Sequence, residues 1–466
     1  PWPLQDFQRR YGFTGKKSQL RMAYIDQLPA PGALLLAGLG PAAELTGEIL
    51  RTAAGKAVRK AIELDFKAVH IVIPALDLEV IGMDAAVTAL AEGALLANHQ
   101  FTRYKAAEHA SLDRIDLVGP ANLVKAHRRR IEAVATVCDA AIQAREWVST
   151  PANHKTPAEF ARQVTAAAEK AGLVVAVKNK RWLEKTGLNA LLAVNQGSTR
   201  SPRLVVLHHR TKQTTTPSVV LVGKGVTFDA GGLNLKPTGS IETMKIDMAG
   251  AAAAAATAIA AARLELDLNV VAVLPIVENM VSGNAFRPGD VIKTYAGKTV
   301  EIGNTDAEGR LILADALAWA QDEFAPDLMI DLATLTGACI VALGDDLAGL
   351  FSRDDHLADQ LLRAGRQTHE RCWRLPLVEE YKELLKSDLA DTNNISSGRS
   401  GGAIVAALFL SAFVEKTRWV HLDIAGPAYV KKAAPYCQAG GSGFGVRLLC
   451  RFLEDLSHNQ SAIVST

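Results

Sequence analysis

The sequence predicts an α/β protein of two domains, and three observations carry that reading. The chain has 466 residues, a length that favours two domains over one. Short apolar runs alternate with helical stretches along nearly all of it. A long helical stretch, about 123–148, separates two such alternations and stops before Ser149-Thr150-Pro151, where a break and a fresh helix start are expected. The expected domains are therefore 1–148, including this linking helix, and 149–466. Each should hold a mostly parallel or mixed sheet flanked by helices.

In order along the chain, Ala33 to Ala37 and Val69 to Ile73 read as strands, and Ala43 to Leu64 and Met83 to Leu96 as helices. In the second part Val219 to Val222 reads as a strand that feeds a polar loop. Gly250 to Ala262 is alanine-rich and reads as a helix on intrinsic propensity. Asn269 to Ile276, Leu328 to Leu332 and Val420 to Ile424 are further strands. Arg310 to Gln321, Gly401 to Phe413 and Phe444 to Leu456 are helices, the first expected to be amphipathic on Leu311, Leu313 and Leu317. The strands are short and apolar, as in a buried sheet. No internal repeat at a fixed period is visible.

Composition narrows the function. Hydrophobic content of 49% with 21% charged residues is ordinary for a globular chain, and a net charge of +2 gives no case for nucleic acid or an anionic membrane. The run His127-Arg128-Arg129-Arg130 is the local exception, and a solvated helix face is its ordinary explanation. Five cysteines, none in a CxxC pair, argue against a disulfide framework or a structural zinc knuckle. No signal peptide is recognisable, and the uncharged run Met248 to Ala262 is too short and alanine-rich for a membrane span. The cytoplasm is the expected compartment.

Charge is concentrated in two places. Asn304-Thr305-Asp306-Ala307-Glu308-Gly309-Arg310 sets two carboxylates and a guanidinium just ahead of a helix. Upstream stand Lys224, Asp229, Lys236 and Asp247. Singly, each has a bland reading: Asp306 as a helix cap, Arg310 as a surface ion-pair partner, Lys236 as loop solvation. Together, on loops and element ends, they suit a two-metal hydrolytic site.

These segments resemble the leucine aminopeptidase family, also called cytosol aminopeptidases. The family signature Asn-Thr-Asp-Ala-Glu-Gly-Arg-Leu stands unchanged at Asn304 to Leu311, and the spacing Lys-x4-Asp-x6-Lys-x10-Asp is met by Lys224, Asp229, Lys236 and Asp247. The likeness extends over roughly 146–450 and is looser before that. It implies two divalent metal ions per subunit, manganese or zinc. The tighter one is expected on Lys224, Asp229, Asp247 and Glu308, and the more exchangeable one on Asp229, Asp306 and Glu308. It further implies Lys236 as the oxyanion partner and a bicarbonate ion held by Arg310 as general base. Met244 and Ala307 would line the side-chain pocket. Asn304, Thr334, Leu335 and Gly337 would contact the substrate, a peptide that loses leucine or another apolar residue from its amino terminus. A homohexamer is the implied assembly. Ala230 departs from the family, where serine is common.

Two other classes compete. Gly38-Leu39-Gly40-Pro41-Ala42-Ala43 imitates a dinucleotide fingerprint, but Pro41 removes an amide where a phosphate needs donors. A DNA-binding or scaffold role would rest on His127 to Arg130 alone. Serine-hydrolase and zincin readings find no GxSxG and no HExxH.

Overall fold

The computed structural model describes residues 9–25, 32–73, 81–211, 216–398 and 400–459. The chain forms two compact units, Pro1–Ile142 with Val430–Ala439, and Gln143–Tyr429 with Gly440–Thr466. Both are mixed α/β.

In the first unit β1 (Leu20–Ile25) and β2 (Gly32–Ala37) pair antiparallel, and β3 (Ala68–Val72) and β4 (Arg114–Val118) pair parallel. Helices α1 (Gly47–Glu63) and α2 (Met83–Asn98) pack on one another through Leu50, Ala54, Val58, Val87, Leu90 and Ala94. Thr46 caps α1 by accepting from the Ile49 amide, so the helix starts four residues later than Ala43, after a short 3₁₀ turn. The glycine run at Gly38 follows β2, whose partner is antiparallel. A dinucleotide fingerprint needs a parallel βαβ unit instead. Helix α3 (Ala121–Ser149) carries the basic run. His127 sits 2.7 Å from Asp84, Arg128 pairs with Glu132 and Arg130 donates to Thr88, which is the behaviour of a solvated helix face.

The second unit is built on one large mixed sheet. Its strands are β5 (Val174–Lys178), β6 (Arg203–His209), β7 (Ser218–Gly223), β8 (Gly225–Asp229), β9 (Asn269–Asn279), β12 (Leu328–Ala333), β13 (Ala348–Phe351), β14 (Cys372–Arg374) and β16 (Arg418–Asp423). The spatial order is β14-β13-β16-β12-β7-β9-β6-β5, with β8 also on β9. The centre is parallel: β16, β12, β7 and β9 run together, and β8 joins β9 in the same sense. Short strands β10 (Val291–Lys293), β11 (Thr299–Glu301) and β15 (Thr392–Asn393) form a separate three-stranded sheet. The unit's helices are α4 (Pro157–Lys170), α5 (Lys180–Thr186), α6 (Asn189–Val194), α7 (Ala249–Arg263), α8 (Glu308–Phe324), α9 (Gly337–Leu343), α10 (Asp355–Thr368), α11 (Gly402–Ser411) and α12 (Val446–His458).

Central strands buried on both faces explain the apolar runs Val219 to Val222 in β7 and Val270 to Val277 in β9, and β12 follows the pattern except at Asp331, whose carboxylate meets Trp419 and His421. Helix α8 corrects an expectation. Every residue from Glu308 to Ala320 is buried, so the helix is not amphipathic over this stretch. Asp315, at its centre, accepts from the amides of Leu191 and Tyr295; burial lifts its pKa to about 7, and these bonds oppose the rise.

Helix α7 is buried from Ala249 to Ala261. Together with the preceding 3₁₀ turn it is long and apolar enough to pass for a membrane span, yet 89% of that window lies inside the protein. Its alanines and one glycine let it lie almost on the strand backbones. A Cβ on Gly250 would come within 2.0 Å of the Leu332 carbonyl oxygen. Gly250→Ala should therefore lower the melting temperature in a thermal scan. Propensity alone would stabilise the helix by about 1 kcal/mol, whereas overpacking costs about 1–3 kcal/mol. A raised melting temperature would mean that α7 shifts freely off the sheet.

Candidate metal centre

The polar residues gather where the parallel strands end. Lys224 follows β7, Asp229 closes β8, Thr334 follows β12 and Asp423 closes β16. Carboxyl ends of parallel strands are where α/β folds place their ligands. The loop from β8 turns sharply through Gly231 (φ +87°) and Gly232 (φ +65°), conformations that other residues rarely adopt. The turn brings Lys236 back until its amide donates to the Ala230 carbonyl. Asp247 comes from the end of a 3₁₀ turn, Ile241–Ile246, just before α7. Asp306 and Glu308 come from the loop and first turn of α8.

Two lysines sit among four carboxylates. Lys224 Nζ lies 2.8 Å from Asp247 Oδ1 and 2.8 Å from Glu308 Oε1, and donates to the Thr334 carbonyl at 3.0 Å. Lys236 Nζ lies 2.8 Å from Asp229 Oδ2 and 2.5 Å from Asp306 Oδ1. Asp229, Asp306 and Glu308 each offer an oxygen within 4.8 Å of the other two. Lys224, Asp229, Asp247 and Glu308 are all buried. The bland readings of Asp306 and Lys236 therefore fail. The α8 N-cap is Ala307 and makes no side-chain cap bond, and the Lys236 side chain is only 15% exposed.

Burial would pull the lysine pKa values down, but the facing carboxylates outweigh it and hold both well above the ordinary value. Burial, with repulsion from Glu308, pushes Asp229 well up. Burial takes Asp247 to about 7, with Lys224 opposing. Asp306 is raised chiefly by burial. Glu308 goes the other way: burial is outweighed by Lys224 and Lys236.

The cluster fits further cations. Four carboxylates face two ammonium groups, so negative charge is in excess at a buried site. Asp247 Oδ2, Asp306 Oδ1 and Glu308 Oε1 are buried without a hydrogen bond, the last two at ion-pair distance from a lysine but outside hydrogen-bond geometry. Unsatisfied buried oxygens on one side of a site are what a hard cation needs. Arg310 presents the opposite demand. Its Nη1 donates to the Asn394 carbonyl at 2.7 Å, while Nε has no partner and burial takes its pKa to about 10.

The remaining expected residues fall into place unevenly. Asn304 Oδ1 accepts from the Asp306 amide at 2.7 Å. Thr334 Oγ1 donates to Asp247 Oδ1 at 2.7 Å, and the Leu335 amide donates to Asp423. Ala307 precedes α8, and Gly337 opens α9 facing free space. Met244 is tied to the cluster through its carbonyl, which accepts from the Asp247 amide.

Several supporting residues escaped the sequence reading. Asn279 Nδ2 donates to Asp229 Oδ1 and to the Thr305 carbonyl. Asn234 and Thr305 exchange bonds between the two site loops. Asp423 Oδ2 accepts from Thr336 Oγ1 at 2.6 Å. Lys155, fully buried, donates to the carbonyls of Trp147, Val148 and Lys245, bracing the turn that leads to Asp247. Of these, Thr305 lay within the Asn304 to Arg310 segment that the sequence singled out and Asp423 within an expected strand, whereas Asn279, Asn234 and Lys155 carried no such mark.

Known proteins can now be set beside this geometry. The cytosol aminopeptidase family's catalytic-domain profile matches residues 142–450, and its N-terminal-domain profile matches 4–108. A probable cytosol aminopeptidase of Protochlamydia amoebophila is 42% identical over 96% of this chain and 89% of its own length. One from Geobacter sp. is 44% identical over 95% and 89%. The solved structure of the bottromycin maturation enzyme BotP in complex with Mn superposes with a TM-score of 0.90 at 38% identity, covering 97% of this chain and 96% of that one. The domain matches, the relatives and the unbroken signature on α8 agree, and the chain belongs to the cytosol aminopeptidase family.

Proposed function

We infer that this protein is a two-metal aminopeptidase that releases leucine and other apolar residues from the amino termini of peptides. The observation that carries the reading is the cluster of four carboxylates, three of them buried and Asp306 half-buried, whose charge two lysines do not balance. Membership of the cytosol aminopeptidase family supports the reaction class. The manganese in the BotP structure supports manganese as one resident metal, with zinc the alternative.

Asp229, Asp306 and Glu308 would hold one ion. Lys224, Asp247 and Glu308, with Asp229, would hold the other. A bound divalent pair supplies an activated water near neutral pH and a Lewis acid for the scissile carbonyl. Lys224 would serve as a ligand only as the neutral amine, so it would first have to give up the proton that Asp247 and Glu308 favour. Lys236, at the open side of Asp229 and Asp306, is the donor that meets negative charge growing on the carbonyl oxygen. Arg310 has a free Nε and a planar fork, which suit bidentate capture of bicarbonate, the expected general base. Met244 and Ala307 would border the side chain being released, next to carboxylates that repel aspartate or glutamate. The cytoplasm is the compartment this reading assigns.

Asp306→Ala and Asp247→Ala should lose metal and activity together, as read by metal analysis of the purified variants. Lys236→Ala should keep its metal and lose kcat by about 10²–10³ with a smaller change in KM. Normal metal content and turnover in the aspartate variants would place the site elsewhere. The homohexamer should appear in light scattering as a stable particle of six chains, and a fully active monomer would contradict it. The free amino terminus is the sharpest discriminator. Leucine p-nitroanilide should be hydrolysed and its N-acetyl analogue should not. The rate should rise from mildly acidic to alkaline pH, because a substrate amine with a pKa of about 7.7–8.0 ligates metal only when deprotonated. Equal turnover of the two substrates would rule out the exopeptidase mechanism.

A further inference from the structure

Asn394 lies just after β15, 87 to 91 residues from its partners in the metal-site loop, and is fully buried. Its carboxamide has two acceptor lone pairs and two N–H donors. All are used on one short loop. Oδ1 accepts from the amides of Gly303 at 2.8 Å and Asn304 at 3.2 Å. Nδ2 donates to the carbonyls of Asn304 at 2.7 Å and Ala307 at 3.4 Å. The orientation of the amide is fixed by these partners, since a flip would set N–H against N–H and oxygen against oxygen. The backbone of Asn394 is engaged as well. Its N–H donates to Glu301 O at 3.0 Å, and its carbonyl accepts from Arg310 Nη1 at 2.7 Å.

The local structure explains the arrangement. β11 and β15 run parallel, with Val300 opposite Thr392 and Glu301 opposite Asn393. One step further β11 ends, and the Asn394 side chain takes over the hydrogen bonds that a partner strand would make. The loop it grips carries Asp306 and leads into Glu308, while its carbonyl fixes the guanidinium of Arg310. One residue thus holds both the loop that carries Asp306 and the guanidinium of Arg310.

We propose that Asn394 is a positioning residue that holds the 303–307 loop and Arg310 in their working arrangement before any metal arrives. The proposal rests on the two-metal reading above. Partners that orient metal ligands typically change affinity or activity by about 10–100-fold when removed.

The test titrates Mn²⁺ into metal-stripped protein by calorimetry and measures kcat and KM separately on leucine p-nitroanilide. Asn394→Ala removes all four side-chain bonds. Asn394→Asp keeps the two accepted bonds and sets an oxygen against two carbonyls. Asp315→Asn is the control, because it disturbs the same helix α8 through Leu191 and Tyr295 and touches nothing in the site. Both Asn394 variants should bind Mn²⁺ about 10–100-fold more weakly and lose kcat on the same scale, with a smaller change in KM. Asp315→Asn, at a comparable loss of melting temperature, should retain both. Wild-type affinity and kcat in the Asn394 variants, or equal losses in the control, would overturn the proposal. If the Asn394 variants do not fold, hydrogen exchange of the metal-free wild type decides. The amides of Gly303 and Asn304 should be as protected as those of β12, and rapid exchange would refute a preformed loop. If the wild type itself binds no Mn²⁺, the two-metal reading fails, and the same exchange measurement still decides whether the loop is preformed.

Discussion

Four carboxylates gathered at one point, three of them withdrawn from water, must be answered by positive charge, and the second unit is arranged around that demand. Desolvating a single carboxylate costs several kcal/mol even after relaxation, so an uncompensated group of four would not stay ionised in a folded protein. Lys224 and Lys236 supply part of the answer. Each approaches from a different strand end and each spans two carboxylates. The remaining demand is a property of the fold itself. It persists as long as β7, β8 and the start of α8 converge there.

Convergence of that kind needs a rigid frame. Strands β7, β12 and β16 end at nearly one level, and the amide of Lys224 is held to Leu332 O while its carbonyl accepts from Ala251. The ligand-bearing backbone is therefore tied to β12 on one side and to α7 on the other. Neutral amides do the finer setting. Asn279 fixes Asp229, and Asn234 with Thr305 locks the two loops together. None of these adds charge, which suits a site whose electrostatic balance is already narrow.

How much of this could be read from the sequence depended on the kind of interaction. Residues 224–247 and 304–311 were legible because their charges are anomalous in an apolar setting and lie close together in the chain. The central strands were legible because burial on both faces leaves unbroken Val, Ile and Leu runs, as in Val219 to Val222. Helix α8 misled. Leu311, Leu313 and Leu317 suggest one apolar face, whereas Glu308 to Ala320 is enclosed on all sides and the central Asp315 is met by amides from distant segments. Asn394, Asn279 and Lys155 had no sequence signal. An asparagine that serves as a strand partner and one in an ordinary turn have the same local neighbours, and the difference lies wholly in long-range hydrogen bonds.

The buried alanine helix α7 has a consequence for how this protein can vary over generations. The buried alanines between Ala251 and Ala261 can scarcely grow, since each added carbon would press on the strands or helices packed around α7. Nor can they shrink freely, as each alanine-to-glycine change costs about 1 kcal/mol of helix stability. A segment that contributes no atom to the metal cluster should thus tolerate as little mutational drift as the residues that do. In this chain, invariance along α7 would record a steric ceiling and not chemistry.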